Sequence, residues 1–392
     1  RPLLMKKLIF INSHPIQYFS PLYKYLNANG VECSVWYASD KSIKGKLDKQ
    51  FGVKVKWDIP LLDGYNSRFF KNYGRNEEDS GKFFSLVNPG MIKQLFRTEP
   101  SVIVVHGWNF FTHLGILLLG KLAGHTICLR NDMPLTHEFL KNGLKQKFKR
   151  IILKYIVFPR IDYFCAIGVE NRLFYRSYEI SERKIIDVPY VIDNDRFRSI
   201  DVNASEMRSK YGIAPKDKVI LFSGKYINKK KPLDLLVAYK ELDRDDCWLI
   251  FIGDGHLRSQ MELYIKEHNL NKVILTGFIN QSEIPKWYAI GDLFVMCSGQ
   301  GENWGLSVNE AMNFNLNLVL SDLTGCAKDL VRSGQNGYTY KTGDTSQLAS
   351  AIQSILYENS LDQNSINSKD LISQYDFNAV KKGLLKILEE QA

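Results

Sequence analysis

Cys297-Ser298-Gly299-Gln300-Gly301-Glu302-Asn303-Trp304-Gly305-Leu306-Ser307-Val308-Asn309-Glu310-Ala311-Met312 follows an apolar run at 293–296 and runs into a stretch with helical spacing. Strand, glycine loop and helix in that order predict a ligand site. Glycines let the backbone come close to a ligand, and the free N–H groups of a helix start attract anions. The spacing G-x-G-x-x-x-G is not the dinucleotide fingerprint, and no acidic residue ends the following strand. Hydride transfer is therefore disfavoured. Glu302 lies in the loop and Glu310 eight residues on, about one turn into the helix. One carboxylate can reach a ligand part held over the loop, the other a part lying beside the helix. Alone, the two would read as a dipole partner and a solvated helix charge.

On either side of this segment, short β-rich runs alternate with helical stretches, which predicts parallel α/β sheets. Strands are expected at 7–12, 33–38, 101–106, 126–130, 163–167 and 185–189, then at 219–223, 248–253, 273–277, 293–296 and 318–321. Their near-continuous Val, Ile and Phe content suits strands covered on both faces. Between the two series, 192–215 is polar and reads as a boundary with two short turns. Two Rossmann-like domains facing across a cleft are expected, at 5–198 and 199–376. A helix at 377–392, with Val380, Leu384, Leu385 and Leu388 at helical spacing, is expected to return to the first domain.

Several further stretches, taken in order, resemble the retaining GT-B glycosyltransferases of the large family four. These are Val188-Pro189-Tyr190-Val191-Ile192-Asp193 with Phe197, Ser223-Gly224-Lys225 with Lys230, and Phe251-Ile252-Gly253-Asp254-Gly255. Gly277-Phe278-Ile279, Trp287-Tyr288, the pair Glu302 and Glu310 ending in Glu-Ala-Met, and Gly334 to Gly337 complete the set. The resemblance covers the chain from about Ile161 onward. It implies a nucleotide-diphosphate sugar (UDP or GDP) as donor substrate, no cofactor, and transfer of a hexose-type sugar with retention. It further implies that Glu302 holds sugar hydroxyls and Glu310 the ribose. Lys225 and Lys230 would grip the diphosphate, helped by backbone N–H groups near Gly305 to Ser307, and Gly224, Asn303, Trp304 and Leu306 would also belong to the donor-binding site. Gly277 and Phe278 would sit by the base. A departing diphosphate gains negative charge, so fixed cations aimed at it lower the barrier.

The sequence departs from that family at Lys225, where arginine is usual, and at Asn313-Phe314-Asn315, where an asparagine must take the left-handed cap usually given to glycine. Asp329 stands where glutamate is common. His14-Pro15-Ile16-Gln17-Tyr18 replaces the family's diglycine loop, which makes His14 and Gln17 candidates on the acceptor side. His106 ends a strand and is a catalytic candidate at the carboxyl edge of the sheet, with Asp132 beyond the next strand as an acceptor-side one. His113, His125, His137, His256 and His268 fit no pattern and read as structural. Two D-x-D matches, Asp193-Asn194-Asp195 and Asp243-Arg244-Asp245, fall in a hinge and a polar turn, so no metal is assigned.

A net charge of +10 fits phosphorylated ligands or an anionic membrane surface, and no nucleic-acid module accompanies it. Residues 141–154 carry Lys141, Lys145, Lys147, Lys149, Arg150 and Lys154 among Leu144, Phe148, Ile151, Ile152 and Leu153. That pattern suits either a bilayer surface or a packed helix with a solvated basic face. Six scattered cysteines read as reduced and buried. Residues 1–4 read as an addition ahead of Met5, with no signal peptide after them. No apolar run reaches the roughly 18 residues of a membrane span. The expectation is a cytoplasmic enzyme, peripheral on the inner membrane face, acting on a glycan or lipid-linked glycan in surface polysaccharide synthesis. A nucleotide-sugar epimerase and a non-catalytic nucleotide-sugar binding protein are the alternatives.

Overall fold

Short runs of Val, Ile, Leu and Phe build the two sheets, and nearly every residue in the central strands is buried. The computed structural model describes residues 6–391 apart from 41, 44–46, 49–52, 55–56, 76–80 and 363–365. The segment ahead of Met5 lies outside the described residues. In chain order the first strands are β1 (Leu8–Asn12), β2 (Cys33–Tyr37), β3 (Leu47–Asp48), β4 (Val53–Lys54) and β5 (Asn66–Phe69). Next come β6 (Val102–His106), β7 (Thr126–Arg130), β8 (Tyr163–Ala166) and β9 (Ile185–Asp187). The second series is β10 (Lys218–Ser223), β11 (Cys247–Ile252), β12 (Val273–Leu275), β13 (Leu293–Met296), β14 (Asn317–Ser321) and β15 (Gly337–Tyr340).

One large sheet has seven strands in the order β5-β2-β1-β6-β7-β8-β9 and the other six in the order β12-β11-β10-β13-β14-β15, while β3 and β4 form a separate antiparallel pair. Both large sheets are wholly parallel. In each, consecutive strands run outward one way and then the other, so the order reverses between β1 and β6 and between β10 and β13. Loops leaving the two strands at such a reversal splay to opposite faces and open a crevice at the carboxyl edge.

The chain divides into two compact units. The first holds Arg1–Lys46, Pro60–Val191 and Phe377–Ala392; the second holds Leu47–Ile59 and Ile192–Asp376. This moves the expected boundary from 198/199 to 191/192 and gives the excursion at 47–59 to the second unit. Residues 192–215 are also more ordered than two turns: helices Asn194–Ser199 and Ala204–Lys210 form there, capped by the Asp193 and Asn203 side chains. Asp193 accepts from Arg196 N at 3.0 Å, which is the use this D-x-D match finds.

The helix Phe377–Glu389 packs inside the first unit. A Cβ on Gly383 would stand 2.1 Å from Asp187 O, so only glycine lets the helix sit this close to β9. Tyr163 donates to Glu390 at 2.6 Å and Thr126 to Gln391 at 2.8 Å, while Phe377 packs on Tyr25. All six cysteines are buried and free. Among the described residues no helix is long and apolar enough to cross a membrane.

Candidate functional site

The order reversal in the second unit places the ends of β10 and β13 side by side, and both carry the residues singled out above. β10 ends at Ser223 and runs into Gly224, Lys225 and the short 3-10 turn Asn228–Lys230. β13 runs through the glycine loop into the helix Leu306–Met312. Four contacts tie the two loops together. Gly299 N donates to Lys229 O at 2.7 Å, Lys229 Nζ to Gly301 O at 3.1 Å, and Ser307 Oγ to Ser223 O at 3.2 Å. The fourth is an ion pair between Lys230 and Glu302, whose side chains keep only 14% and 9% of their exposure.

That pair sits between surface and core, where solvent screens it far less than an exposed pair. Ser298 Oγ adds a hydrogen bond to the same Glu302 oxygen at 3.1 Å. Burial alone would raise the Glu302 carboxyl, but Lys230 and then Lys229 outweigh it and hold the group below its ordinary value. Glu302 is thus an anion held by Lys230 and Lys229, and Lys229 also bonds the glycine loop at Gly301 O.

Gly305 caps the helix with φ +101°, and a Cβ there would meet Met296 Sδ at 2.8 Å. Glycine is required on both counts. Behind the loop, Gly325 N donates to Glu302 O at 3.0 Å and Cys326 N to Trp304 O at 3.1 Å. Trp304 itself points inward: its indole is 3% exposed and donates to Asn309 Oδ1 at 2.9 Å. Its side chain therefore props the helix and is turned away from the loop surface.

Glu310 is 1% exposed, so the solvated-charge reading fails. It accepts from Tyr288 OH at 2.7 Å and from Gln281 Nε2 at 3.5 Å. Gln281 is in turn fixed by Arg196 at 2.6 Å. Gly277 bridges to Gly253, and the Phe278 ring lies 6.1 Å from Trp57, a residue from the 47–59 excursion that sequence reasoning did not place here. Ser282 also bonds Asp58. Asn315, at φ +58°, takes the left-handed position as expected.

Asp243 and Asp245 lie just before β11, at the amino edge of the same sheet and so away from these loops. Their D-x-D match belongs to a turn that hands the chain into a strand.

In the first unit, His106 ends β6 next to Arg130 at the end of β7, in direct register, with Asn12 ending β1 on the other side. The His106 ring packs edge-on to Phe19 at 4.9 Å and near Phe10 at 6.1 Å. Burial, then Arg130 and His113, push its imidazole well below the ordinary value, so it is neutral near pH 7. Among the described residues His106 Nε2 and Asn12 Oδ1 are buried without hydrogen-bond partners. His113 Nδ1 contacts His106 O at 3.0 Å and His125 bonds Leu95 O at 2.8 Å, both structural uses. His14 contacts Ser13 at 2.9 Å in the loop after β1. Gln17 lies in that loop, half-buried, and Asp132 follows β7.

Arg130 was not singled out from sequence. It is 2% exposed, stands between the rings of Phe19 and Tyr190, and donates through Nη2 to Pro189 O at 2.8 Å and Val188 O at 3.3 Å. Nε and Nη1 have no partner among the described residues. An arginine closing an otherwise apolar buried strand was the available signal.

Residues 203–370 match the family described as glycosyl transferases group 1. The chain is 28% identical over 186 residues to the alpha-D-kanosaminyltransferase of Streptomyces kanamyceticus, covering 46% of this chain and 47% of that protein. It is 22% identical over 341 residues, 86% of each chain, to a Campylobacter jejuni alpha-1,4-N-acetyl-D-galactosaminyltransferase named for a diphospho-undecaprenol-linked glycan. Among solved structures, Anabaena HepE with UDP and glucose superposes with a TM-score of 0.71 at 16% identity, over 98% of this chain and 100% of that one. Sucrose-phosphate synthase from Thermosynechococcus elongatus gives 0.74 at 14%, over 98% and 99%. With two parallel-sheet domains and these structural neighbours the chain has the GT-B fold, and residues 203–370 of its second unit match glycosyl transferases group 1.

Proposed function

We propose that the protein transfers a hexose-type sugar, with retention, from a nucleotide diphosphate to a glycan or lipid-linked glycan used in surface polysaccharide synthesis. The observation that carries this reading is the largely buried Lys230–Glu302 pair, held where the loops after β10 and β13 meet. In this reading Lys225 and Lys230 face the diphosphate and Glu302 takes sugar hydroxyls. Glu310, oriented by Tyr288 and Gln281, takes the ribose. Backbone N–H groups of residues 305–307 add to the anion site, and Gly277 and Phe278 flank the base. Negative charge grows on the leaving phosphate, so these fixed cations favour the transition state over the bound donor. The Campylobacter relative, named for an undecaprenol-linked substrate, supports a lipid-linked acceptor, and the Anabaena structure with UDP supports a nucleotide donor. In the same reading the enzyme works in the cytoplasm, at the inner face of a membrane.

A panel of UDP- and GDP-sugars, incubated with and without a lipid-linked glycan extract, tests the reading. Donor should be consumed only with acceptor, and the product anomer should match the donor. Conversion of donor without acceptor would instead mean epimerase chemistry, and tight donor binding without turnover a binding protein. No metal ion or cofactor is assigned to the site, so activity should survive excess chelator. Loss of activity restored by magnesium or manganese would refute that assignment.

A further inference from the structure

The helix Leu144–Ile152 has no buried residue and is seated the wrong way round for a surface helix. Its charged side faces the protein. Lys149 and Arg150 reach the Glu138 carboxylate, itself 1% exposed, at 3.1 and 3.8 Å. Arg150 also lies 4.4 Å over the Tyr178 ring and donates to Ser177 O at 3.3 Å. The apolar side faces outward. Leu144 is 85% exposed, Phe148 65% and Ile151 54%, and Tyr155, in the π-helical turn that follows, is 66% exposed. Spacings of four, three and four residues put these side chains in one stripe. Phe139, 63% exposed, lies just ahead of it in the chain.

A stripe of this size on a soluble surface marks a contact face. Its rim says with what. Lys145 and Lys147 flank the stripe on opposite sides, both exposed, and among the described residues neither makes an ion pair. A second copy meeting the same face would set lysine against lysine. An apolar layer beneath an anionic surface satisfies both features at once.

We propose that this outward apolar stripe, rimmed by Lys145 and Lys147, docks the enzyme on an anionic lipid bilayer. The stripe enters the acyl boundary and the two lysines meet lipid phosphates. The inference extends the lipid-linked acceptor reading, but vesicle binding needs neither donor nor acceptor, so the two can fail separately.

The test is sedimentation of the full chain with phosphatidylcholine vesicles, with and without phosphatidylglycerol. Binding should require phosphatidylglycerol and weaken with salt. The triple variant Leu144→Ser, Phe148→Ser, Ile151→Ser should bind about tenfold or more weakly. Its melting temperature should not change, because the three side chains are largely exposed. Lys145→Ser and Lys147→Ser should each cost roughly fivefold, equivalent to about 1 kcal/mol near an anionic surface. Phe148→Trp should shift its emission to the blue on phosphatidylglycerol vesicles. Wild-type binding by the triple variant, no emission shift, or no dependence on phosphatidylglycerol would overturn the proposal. So would a concentration-dependent dimer that the triple variant abolishes while vesicle binding is absent, because the occupant would then be a second copy.

Discussion

Lys230 and Glu302 share one ion pair, so changing either alters the charge the other presents to a ligand. Lys230→Ala should lower kcat/KM roughly ten- to a hundredfold, the loss of one charged hydrogen bond of about 1.5–3 kcal/mol. Lys225→Arg should be tolerated. Lys231 is the proper control because it is paired with Asp234 at 3.0 Å, whereas Lys229 holds Gly301 O and is no bystander. Glu310→Gln should weaken nucleotide binding, and Glu302→Gln turnover; steady-state kinetics beside nucleotide titration separates the two. Unchanged kinetics in Lys230→Ala would remove the site from these loops. Arg130 poses a different balance. Its bond to Pro189 O and its two ring contacts oppose the cost of burying a guanidinium whose Nε and Nη1 have no hydrogen-bond partner among the described residues. Losing a well-paired buried charge partner costs about 3–5 kcal/mol. Arg130→Met should instead stay within about 1 kcal/mol of wild type in denaturant unfolding, because the removed desolvation penalty offsets the lost contacts.

At the scale of elements, sequence reading succeeded where burial is complete on both faces. The central strands of both sheets are continuous apolar runs, and they lie within a residue or two of the expected positions. β5, with the sequence Asn66-Ser67-Arg68-Phe69 and every side chain exposed, carried no such run and was missed. β15 was missed too, because Gly337 opens it and only two of its four residues are buried. The basic helix shows a deeper limit. Its amphipathic period was legible, but which face turns inward is set by Glu138 and Tyr178, and no pattern internal to the helix reveals that. The loop after β13 was legible as a glycine-rich link between a strand and a helix, while its brace from residues 325 and 326 was not. That brace makes a prediction. A Cβ at Gly325 would stand 1.8 Å from Asn303 O, so Gly325→Ala must push the loop that carries Glu302. Turnover should fall by roughly tenfold or more, as expected when a catalytic group is misplaced by about 1 Å. Global unfolding should shift by less than for a core cavity. Normal kinetics in Gly325→Ala would mean the loop tolerates displacement.

For the whole molecule, two buried histidines of the first unit set a pH dependence. Burial holds His106 well below 6.5 and lowers His113 from 6.5 to about 4. Between pH 6.5 and 4 the unfolded chain binds protons that the folded one refuses, so stability must fall as pH falls through that window. For His113 the loss is on the order of 3 kcal/mol by pH 4. Melting curves from pH 7 to 4.5 should drop steadily, and His113→Gln should flatten the slope even if it starts lower. A flat profile in wild type would show that neither ring is held neutral. Glu302 has little part in this window. Its depressed carboxyl keeps its pair with Lys230 intact until pH falls below the ordinary carboxylate range.

The route of the chain through its two units bears on how the protein is made. The first unit is laid down almost whole by Val191, yet it also takes in Phe377–Ala392, where Gly383 lies against Asp187 and Phe377 against Tyr25. Emerging from a ribosome, its sheet would wait through nearly 200 further residues, a span of seconds at about 5–20 residues per second, for the helix that covers it. The second unit, apart from its early excursion, is contiguous and can close in the interval. The growing chain would thus carry a partly uncovered parallel sheet until its last helix arrives. Such non-local closure folds slowly and exposes apolar surface meanwhile. Chaperone capture during synthesis should concentrate on the first unit, and selective ribosome profiling of nascent chains would show the engagement ending only once residues past Phe377 have cleared the exit tunnel.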